Sequence, residues 1–300
     1  MNNLVEITKL SNSVEFCFLL IFIFILSINS YAENCPKNIV SLTLASDEIL
    51  LSIVEDKSRI SGVTYLASDE SISNIHKESA NIKGVYANLE QIVELDPDLL
   101  IVSVYKSQDV KKQIQKAGIN TLYLDEIISF QSLKENILKI GNAVCESENA
   151  QILVSNMQNK LDIIKKKIPE NGTKPRILYY SPPGYTAGKQ STINEIIEQS
   201  GGINIGSEVT KSSYDKISLE YIVESNPDII LISSYNPSHI NFEKEFIINP
   251  VIKEIPAIKN NKIALIEGKY LTSASHYVIY AVDKLIDQLL ELHWKIEKPS

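Results

Sequence analysis

Two segments of the chain repeat one pattern of apolar and polar positions. Residues 89–105 read LEQIVELDPDLLIVSVY, and residues 219–235, 130 positions later, read LEYIVESNPDIILISSY. In each copy the apolar spacing predicts a short amphipathic helix, which the Asp-Pro or Asn-Pro pair ends. The continuous apolar run that follows is typical of a strand buried on both faces of a parallel sheet. This order is common in unrelated α/β units, but the shared glutamate and tyrosine favour a duplication.

The remaining segments alternate predicted strands with predicted helices. In the first half, strands are predicted at residues 39–44, 59–65 and 121–124, helices at 106–117 and 128–144, a loop at 84–88, and a cap at Ser46 or Asp47 for the helix running to Val54. In the second half, strands are predicted at 176–180 and 262–267, helices at 192–199 and 277–292, and a loop at 270–275. The alternation predicts an α/β fold with two similar lobes, each a mainly parallel sheet flanked by helices.

A long amphipathic helix is predicted between the lobes, over residues 147–168. Ser147 is expected to cap it and Pro169 to end it. At 1.5 Å per residue the helix would be about 30 Å long, which makes it a rigid link. The predicted organisation is a signal peptide (1–32), an N-terminal lobe (33–146), the connecting helix (147–168) and a C-terminal lobe (169–300), with a ligand cleft between the lobes.

The start of the chain has the pattern of an export signal. Residues 16–26 form an uninterrupted apolar run of 11 residues, which is too short to span a bilayer and suits a signal-peptide core. Ser30-Tyr31-Ala32 provides a small-x-small site, so cleavage is expected after Ala32. The alternative is a membrane anchor that stays attached. Export predicts a location in the periplasm.

Two cysteines, Cys35 and Cys145, remain after the predicted cleavage. An even number of cysteines in an oxidising compartment favours a disulfide bond. That bond would stabilise the protein by about 3–5 kcal/mol. The alternative is two free thiols.

Composition and motifs restrict the function classes. The chain is 44% hydrophobic and 22% charged, as in ordinary globular proteins, and its net charge of −8 argues against a nucleic-acid partner. The sequence contains no G-x-S-x-G, H-E-x-x-H or paired-cysteine zinc motif, so an enzyme is not predicted. Its four histidines are scattered, and only His276 lies in a predicted cleft loop.

Tyrosines follow many of the predicted strands, where ligands bind in open α/β sheets. A tyrosine combines a flat apolar ring with a polar tip, which suits recognition of a ligand. The candidate ligand-binding residues are Tyr65, Tyr86, Tyr105, Tyr185, Tyr214, Tyr235 and Tyr270.

Four segments together carry a resemblance to a known family: PKNIVSLTLASDEIL, GVYANLEQIVELDPDLLIV, PPGYTAGKQSTINEIIEQSGG and SLEYIVESNPDIILI. They resemble the helical-backbone periplasmic binding proteins for cobalamin and ferric siderophores, which serve ABC importers. The resemblance implies two α/β lobes joined by one helix, with the ligand between them. The pattern is most similar to that of the cobalamin-binding members, whose cleft aromatics match Tyr65, Tyr86 and Tyr214 by position. The chain departs from them by having Tyr where they have Trp, and by a shorter loop before Asn88.

The resemblance also implies how the protein is used. One glutamate on each lobe, Glu90 and Glu220 by motif position, is expected to dock on arginines of the importer permease, a dimer in the inner membrane. A first-turn glutamate also complements a helix dipole without any docking role. The protein is expected to act as a monomer, with no resident cofactor and no metal site of its own.

The expected ligand is a metal chelate, either a cobalamin-like corrinoid or a ferric siderophore. Arg59 and Arg176 are the only arginines, and both lie away from the predicted C-terminal strand ends. A strongly anionic catecholate would need an arginine cluster, so a neutral or weakly charged chelate is favoured. Three alternatives stay open: haem bound through a tyrosine or His276, a bare Zn²⁺ or Mn²⁺ ion, and, in another class, an exported α/β enzyme.

Overall fold

The computed structural model describes residues 35–86, 88–103, 108–181, 183–234 and 246–295, without the side chains of residues 108–110. The described residues from Asn38 onward form one compact unit. The predicted signal peptide, Tyr105 and Tyr235 lie outside the described residues. None of the helices in the described ranges is long and apolar enough to cross a membrane.

The first lobe is built on a five-stranded sheet in the order β3-β2-β1-β4-β5, with every neighbouring pair parallel. Its strands are β1 (Ile39–Ser41), β2 (Ile60–Thr64), β3 (Lys83–Val85), β4 (Leu99–Ser103) and β5 (Thr121–Leu124). Its helices are α1 (Leu44–Ile53), α2 (Leu89–Glu94), α3 (Gln108–Lys116) and α4 (Phe130–Ala143), with 3₁₀ turns at Lys57–Arg59 and Tyr65–Ser68.

Helix α5 (Ser147–Lys165) leads from the first lobe to the second. Glu146 occupies its N-cap position and makes no side-chain cap bond. Ser147, the expected cap, is therefore the first helical residue instead. The helix ends four residues before Pro169, after a last turn that carries Lys165.

The second lobe has a four-stranded parallel sheet in the order β11-β10-β6-β8 and a separate antiparallel ribbon of β7 and β9. Its strands are β6 (Arg176–Tyr180), β7 (Tyr185–Ala187), β8 (Ile203–Asn204), β9 (Tyr214–Lys216), β10 (Ile229–Ser234) and β11 (Ile263–Glu267). Its helices are α6 (Thr192–Gln199), α7 (Leu219–Ser225), α8 (Pro256–Lys259), α9 (Gly268–Leu271) and α10 (Val278–Leu289), with a 3₁₀ turn at Ile205–Glu208 and a π-helical turn at Leu290–Trp294. The predicted α/β class with two mainly parallel sheets is confirmed.

Several predicted boundaries are wrong, and each error has a local cause. Strand β1 ends at Ser41, and Thr43 caps α1 because its hydroxyl accepts from the Ser46 backbone N–H at 3.2 Å. Ser46 and Asp47, the expected caps, lie inside the helix and are buried. The expected loop at 84–88 contains the end of β3, a three-residue edge strand too short to show an apolar period.

One hydrophobic cluster runs through both lobes by way of the connecting helix. Its members include Ile49 and Ile53 of α1, Ile137 and Ile140 of α4, Met157, Leu161 and Ile164 of α5, Ile193 of α6, and Val282 and Ile286 of α10. Helices α4 and α5 pack especially closely, since a Cβ placed on Gly141 would lie only 2.3 Å from the Cβ of Ala150. Only glycine fits at position 141. Close-packed interiors resist displacement, so this cluster holds the two sheets in one arrangement.

The continuous core predicts that the lobes rotate by only a few degrees when a ligand binds. A larger closure would separate side chains that are now buried on α1, α5 and α10, and their re-exposure would cost about 25 cal/mol per Å² of apolar surface. X-ray scattering of the purified protein with and without cyanocobalamin, the corrinoid probe, should give superimposable curves. Marked compaction on saturation would contradict this prediction.

Candidate functional site

The C-terminal edge of the first sheet presents one polar or aromatic residue at or just after the end of each strand. Following the strand order from β3 to β5, these residues are Tyr86, Tyr65, Thr43, Ser103 and Asp125. All five strands are parallel, so the residues lie along one edge, where ligands of open α/β sheets bind. The edge is aromatic at one end and carries hydroxyl and carboxylate groups at the other.

Tyr65 and Tyr86 form a stacked pair at the aromatic end. Their ring centroids are 4.4 Å apart, with an interplanar angle of 20°. The two side chains are nonetheless 45% and 54% exposed. A stacked, exposed aromatic pair offers a flat apolar surface to a planar ligand.

A cavity of about 380 Å³ opens between the lobes at the other end of the edge. Its lining residues are Thr43, Ala45, Ser103, Leu124, Asp125 and Ile127 from the first lobe, and Thr192, Tyr214, Thr272 and Ala274 from the second. Five of them carry a hydroxyl group. Among these lining residues Asp125 alone is charged, and its carboxylate pairs with the ammonium of Lys139 on α4.

The β7–β9 ribbon holds two of the predicted tyrosines. Its register places Tyr185 opposite Lys216 and Tyr214 opposite Ala187, so both tyrosines lie on the same face of the ribbon. Tyr214 lines the cavity, whereas Tyr185 does not and lies under Lys216, whose Nζ is 5.5 Å from the ring centroid. Tyr214 is thus the one described candidate tyrosine in the cavity wall.

The structure places Tyr270 elsewhere. It lies in α9, not in the expected loop, and its ring packs against Tyr280 of α10 with centroids 5.6 Å apart. Its neighbours Lys269 and Thr272 face the cleft instead. Because this segment is helical, Tyr270 lies on a different side from Lys269 and Thr272. The sequence pattern did not predict this short helix.

A side pocket of about 250 Å³ adjoins the cavity and shares Ala45, Thr272 and Ala274 with it. Glu48 of α1, which is almost fully buried, contributes to its wall. Burial raises the pKa of Glu48, although hydrogen bonds from Ser275 and Asn74 oppose the shift. Sequence reasoning did not identify this residue, because its partners are distant along the chain.

Glu48 also joins the two lobes. Its Oε1 accepts from the backbone N–H and the Nδ2 of Asn74 at 3.0 and 2.9 Å, and its Oε2 accepts from the Ser275 hydroxyl. Asn74 Nδ2 also donates to the Lys269 carbonyl at 2.9 Å. Asn74 belongs to the first lobe, and Lys269 and Ser275 belong to the second.

A second polar bridge connects α4 and α6. The backbone N–H of Phe130, at the start of α4, donates to the carboxylate of Glu195 in the first turn of α6. Burial raises the pKa of Glu195, and the bond from Phe130 lowers it. The lobes are therefore linked by polar contacts as well as by their shared core.

His276 lies at the lobe boundary but does not line either cleft pocket. Its Nε2 is 3.2 Å from the Ser52 hydroxyl of α1, and its ring lies 4.2 Å from the ring of Tyr277. Burial lowers the pKa of His276 to about 4, so the ring is neutral at physiological pH. In the described part of the chain, no three His, Cys, Asp or Glu side chains converge as a metal site would require.

The repeated helices α2 and α7 each begin with a side-chain cap. Asn88 Oδ1 accepts from the Gln91 backbone N–H at 3.1 Å, and the Ser218 hydroxyl accepts from the Tyr221 N–H at 3.2 Å. Glu90 and Glu220 follow these caps, and both are exposed. The Glu220 carboxylate accepts hydrogen bonds from its own backbone N–H and from the Ser218 side chain. These bonds lower the pKa of Glu220.

Cys35 and Cys145 are the two cysteines among the described residues, and both are disulfide-bonded. This is the state that the predicted pairing requires.

A family model described as "Periplasmic binding protein" matches residues 39–270, which include both sheets and the connecting helix. The chain belongs to the periplasmic binding protein family. This family is one of binding proteins, in agreement with the prediction that the chain is not an enzyme.

Individual relatives differ in what their names say they bind. A cobalamin-binding protein of Halobacterium salinarum is 25% identical over 201 residues, which are 66% of this chain and 54% of that protein, so the match spans about half of its length. The high-affinity heme uptake system protein IsdE of Staphylococcus aureus is 26% identical over 269 residues, 86% of each chain. A crystal structure of an ABC transporter substrate-binding protein from Listeria monocytogenes superposes with a TM-score of 0.72 at 25% identity, over 86% of this chain and 99% of that one.

The depressed pKa of His276 predicts a pH-dependent stability. Between pH 6.5 and about 4 the unfolded chain binds a proton that the folded protein does not, so the free energy of unfolding falls as the pH falls through this window. The expected loss from this group is on the order of 2–3 kcal/mol. Glu48 acts in the opposite sense, because its raised pKa favours the folded state at low pH. Urea unfolding of His276→Gln should therefore show a weaker fall on acidification than the wild type.

The matched control for this prediction is His293→Gln, since His293 lies in the π-helical turn away from the lobe boundary. This control should keep the wild-type dependence on pH. An unchanged dependence in His276→Gln would contradict the prediction.

Proposed function

We propose that this protein is an exported substrate-binding protein of an ABC importer that captures a corrinoid in the cleft between its lobes. It then carries the corrinoid through the periplasm to the permease. Membership of the periplasmic binding protein family supports the general role. The observation that carries the choice of ligand is the chemistry of the cleft wall. That wall has five hydroxyl groups and one lysine-paired carboxylate, and the stacked tyrosine pair lies at the other end of the same sheet edge.

The position of the two arginines supports a ligand of low charge. The Arg59 guanidinium donates to the Glu146 carboxylate at 2.9 Å, and Arg176 donates to the Ser225 carbonyl at 3.0 Å. Both bonds lie away from the C-terminal strand ends that form the cleft. The propionates of haem or the oxygens of a catecholate siderophore would find no guanidinium among the described cavity residues. A corrinoid carries neutral amide arms, which hydroxyl groups can hydrogen-bond.

Haem is the second candidate, and the tyrosine pair is the observation that favours it. A phenolate oxygen can bind haem iron directly, and the hydroxyl-bearing rings of Tyr65 and Tyr86 are exposed. The two candidates use the pair differently. A corrinoid would use the ring faces, whereas haem would also use a phenol oxygen.

The absorption spectrum of the protein purified from the periplasm of its native host separates these ligands. Corrinoid and haem absorb at different wavelengths, so a corrinoid spectrum supports the proposal and a haem Soret band overturns it. Titration of the ligand-free protein with cyanocobalamin and with hemin, followed by calorimetry, gives the two affinities directly.

Substitutions of the tyrosine pair make the distinction sharper. Tyr65→Ala and Tyr86→Ala should each weaken corrinoid binding by about 1–3 kcal/mol, because each removes one aromatic contact. Tyr65→Phe with Tyr86→Phe keeps both ring faces, so it should retain most corrinoid affinity while removing any iron–phenolate bond. Tyr280→Ala, which changes a similarly exposed tyrosine packed on Tyr270, is the control and should bind normally. Unchanged affinity in both alanine variants would place the ligand elsewhere.

Docking on the permease is expected to use Glu90 and Glu220, the exposed first-turn glutamates of α2 and α7. The double variant Glu90→Lys with Glu220→Lys should bind cyanocobalamin normally but lose importer-dependent uptake, because its lysines would meet basic permease residues. If the glutamates only complement the helix dipoles, the variant should be slightly less stable than the wild type and should transport normally. Ligand binding, urea unfolding and uptake in a complemented deletion strain together decide between the two roles.

A further inference from the structure

The side pocket beside the main cavity combines an apolar and a polar wall. Two half-buried side chains of the first lobe, Leu44 and Ile72, form the apolar side. Lys269 and Thr272 of the second lobe contribute an ammonium and a hydroxyl group. The pocket volume of about 250 Å³ is below that of typical ligand pockets, so it suits an appendage of a ligand and not a whole one.

Lys269 is the one cation among the described residues that line the side pocket and the main cavity. None of the described carboxylates lies within ion-pair distance of its ammonium group, which is 5.4 Å from the ring centroid of Tyr270. The neighbouring Lys284 lies 5.2 Å from the same ring but pairs with Glu267 at 3.2 Å. The charge of Lys269 is therefore available to a ligand.

Glu48, the other charged residue of the side pocket, does not pair with Lys269. Its Oε1 accepts two hydrogen bonds from Asn74, and its Oε2 accepts one from Ser275. Burial also raises the pKa of Glu48, which disfavours its negative charge. Both carboxyl oxygens are bonded within the protein, so the positive group of the pocket is left to bind an anion.

The backbone around Lys269 is held in place. Its carbonyl accepts from Asn74 Nδ2 at 2.9 Å, and the Gly268 carbonyl accepts from the backbone N–H and the hydroxyl of Thr272 at 2.9 and 2.8 Å. Because the Thr272 hydroxyl donates its proton to Gly268, its oxygen can still accept from a ligand hydroxyl. The pocket therefore offers one positive charge, one hydroxyl acceptor and an apolar side.

We propose that the side pocket is a subsite for an anionic appendage of the ligand, and that in a corrinoid this appendage is the nucleotide loop. This inference rests on the proposed corrinoid-binding function and deepens it. The phosphodiester of the loop carries a single negative charge, which one lysine ammonium can bind. Its ribose hydroxyl can donate to Thr272, and its aromatic base can pack on Leu44 and Ile72. The protein would then favour complete corrinoids over cobinamides, which have the same ring but lack the loop.

A haem propionate is also a singly charged anion that Lys269 can bind. It brings no hydroxyl donor for Thr272 and no aromatic base for the apolar side of the pocket. These two features of the wall therefore favour the nucleotide loop as the source of the anion.

Calorimetry with two corrinoids tests the subsite. The wild type should bind cyanocobalamin about tenfold or more tightly than dicyanocobinamide, because only cyanocobalamin has the phosphodiester. Lys269→Gln should lose this preference through weaker cyanocobalamin binding, with its affinity for dicyanocobinamide unchanged. Lys269→Arg keeps the charge and should retain most of the preference. The control is Lys284→Gln, which removes a lysine beside the same Tyr270 ring but outside both pocket walls, and it should bind both corrinoids as the wild type does.

A second variant tests the space in the pocket instead of its charge. Ile72 lines the side pocket but not the main cavity, so Ile72→Trp should fill the subsite and leave the cavity open. It should weaken cyanocobalamin binding and keep the dicyanocobinamide affinity of the wild type, which also shows that the variant is folded. Equal wild-type affinity for the two corrinoids, an equal loss of both in Lys269→Gln, or full cyanocobalamin affinity in Ile72→Trp would overturn the proposal.

Hemin and its dimethyl ester separate failure of this inference from failure of the proposed ligand. If the wild type binds both corrinoids and Lys269→Gln changes neither affinity, the corrinoid assignment stands and the subsite fails. If the wild type binds hemin and neither corrinoid, the corrinoid assignment and the nucleotide loop fail. The anionic subsite then stands only if Lys269→Gln weakens binding of hemin and not of its ester. A wild type that binds none of these four probes would overturn both proposals.

Discussion

The apolar cluster that joins α1, α4, the connecting helix α5, α6 and α10 determines how the rest of the molecule is used. Both sheets face this cluster, and the contact of Gly141 with Ala150 leaves no room for the helices to move closer. Because the lobes are held at a fixed spacing, the cleft between them is present before any ligand arrives. A preformed site avoids the loss of conformational freedom that closing around a ligand would cost.

The same strands that build the core also contribute to the candidate binding surface. In β4, four successive residues from Leu99 to Val102 are buried, and Ser103 at the strand end lines the cavity. Neighbouring strands of a parallel sheet end at the same edge. The length of each strand therefore determines which of its residues pack in the core and which residue reaches the candidate site. The carboxylates of Glu48 and Glu195 add hydrogen bonds between the two lobes.

Features that depend on short stretches of sequence were predictable. The α/β class and the parallel strands follow from apolar periodicity and turn residues, which are local signals. Features that depend on distant partners were not. The β7–β9 ribbon pairs three-residue strands almost thirty positions apart, and the place of Tyr270 depends on its contact with Tyr280 of α10. Glu48 was missed for the same reason, since Ser275 lies 227 positions away along the chain.

The residues of the candidate site also fall into two groups, those that a sequence signal selected and those that it did not. Position after a predicted strand selected Tyr65, and the match to the family's cleft aromatics selected Tyr86 and Tyr214. Neither signal selected Thr43, Thr192 or Thr272, which reach the cavity from helix starts and loops of both lobes. A threonine in such a place has no distinctive pattern in one sequence. Tyr105 and Tyr235 stay predictions, since they lie outside the described residues.

The matching starts of α2 and α7 have a consequence for the proposed docking role. Each helix has a side-chain cap followed by an exposed first-turn glutamate, one on each lobe. A partner with two identical halves would not distinguish the lobes by these glutamates alone. The proposed complex would then form in two orientations related by half a turn, and the cargo would reach the partner facing either way.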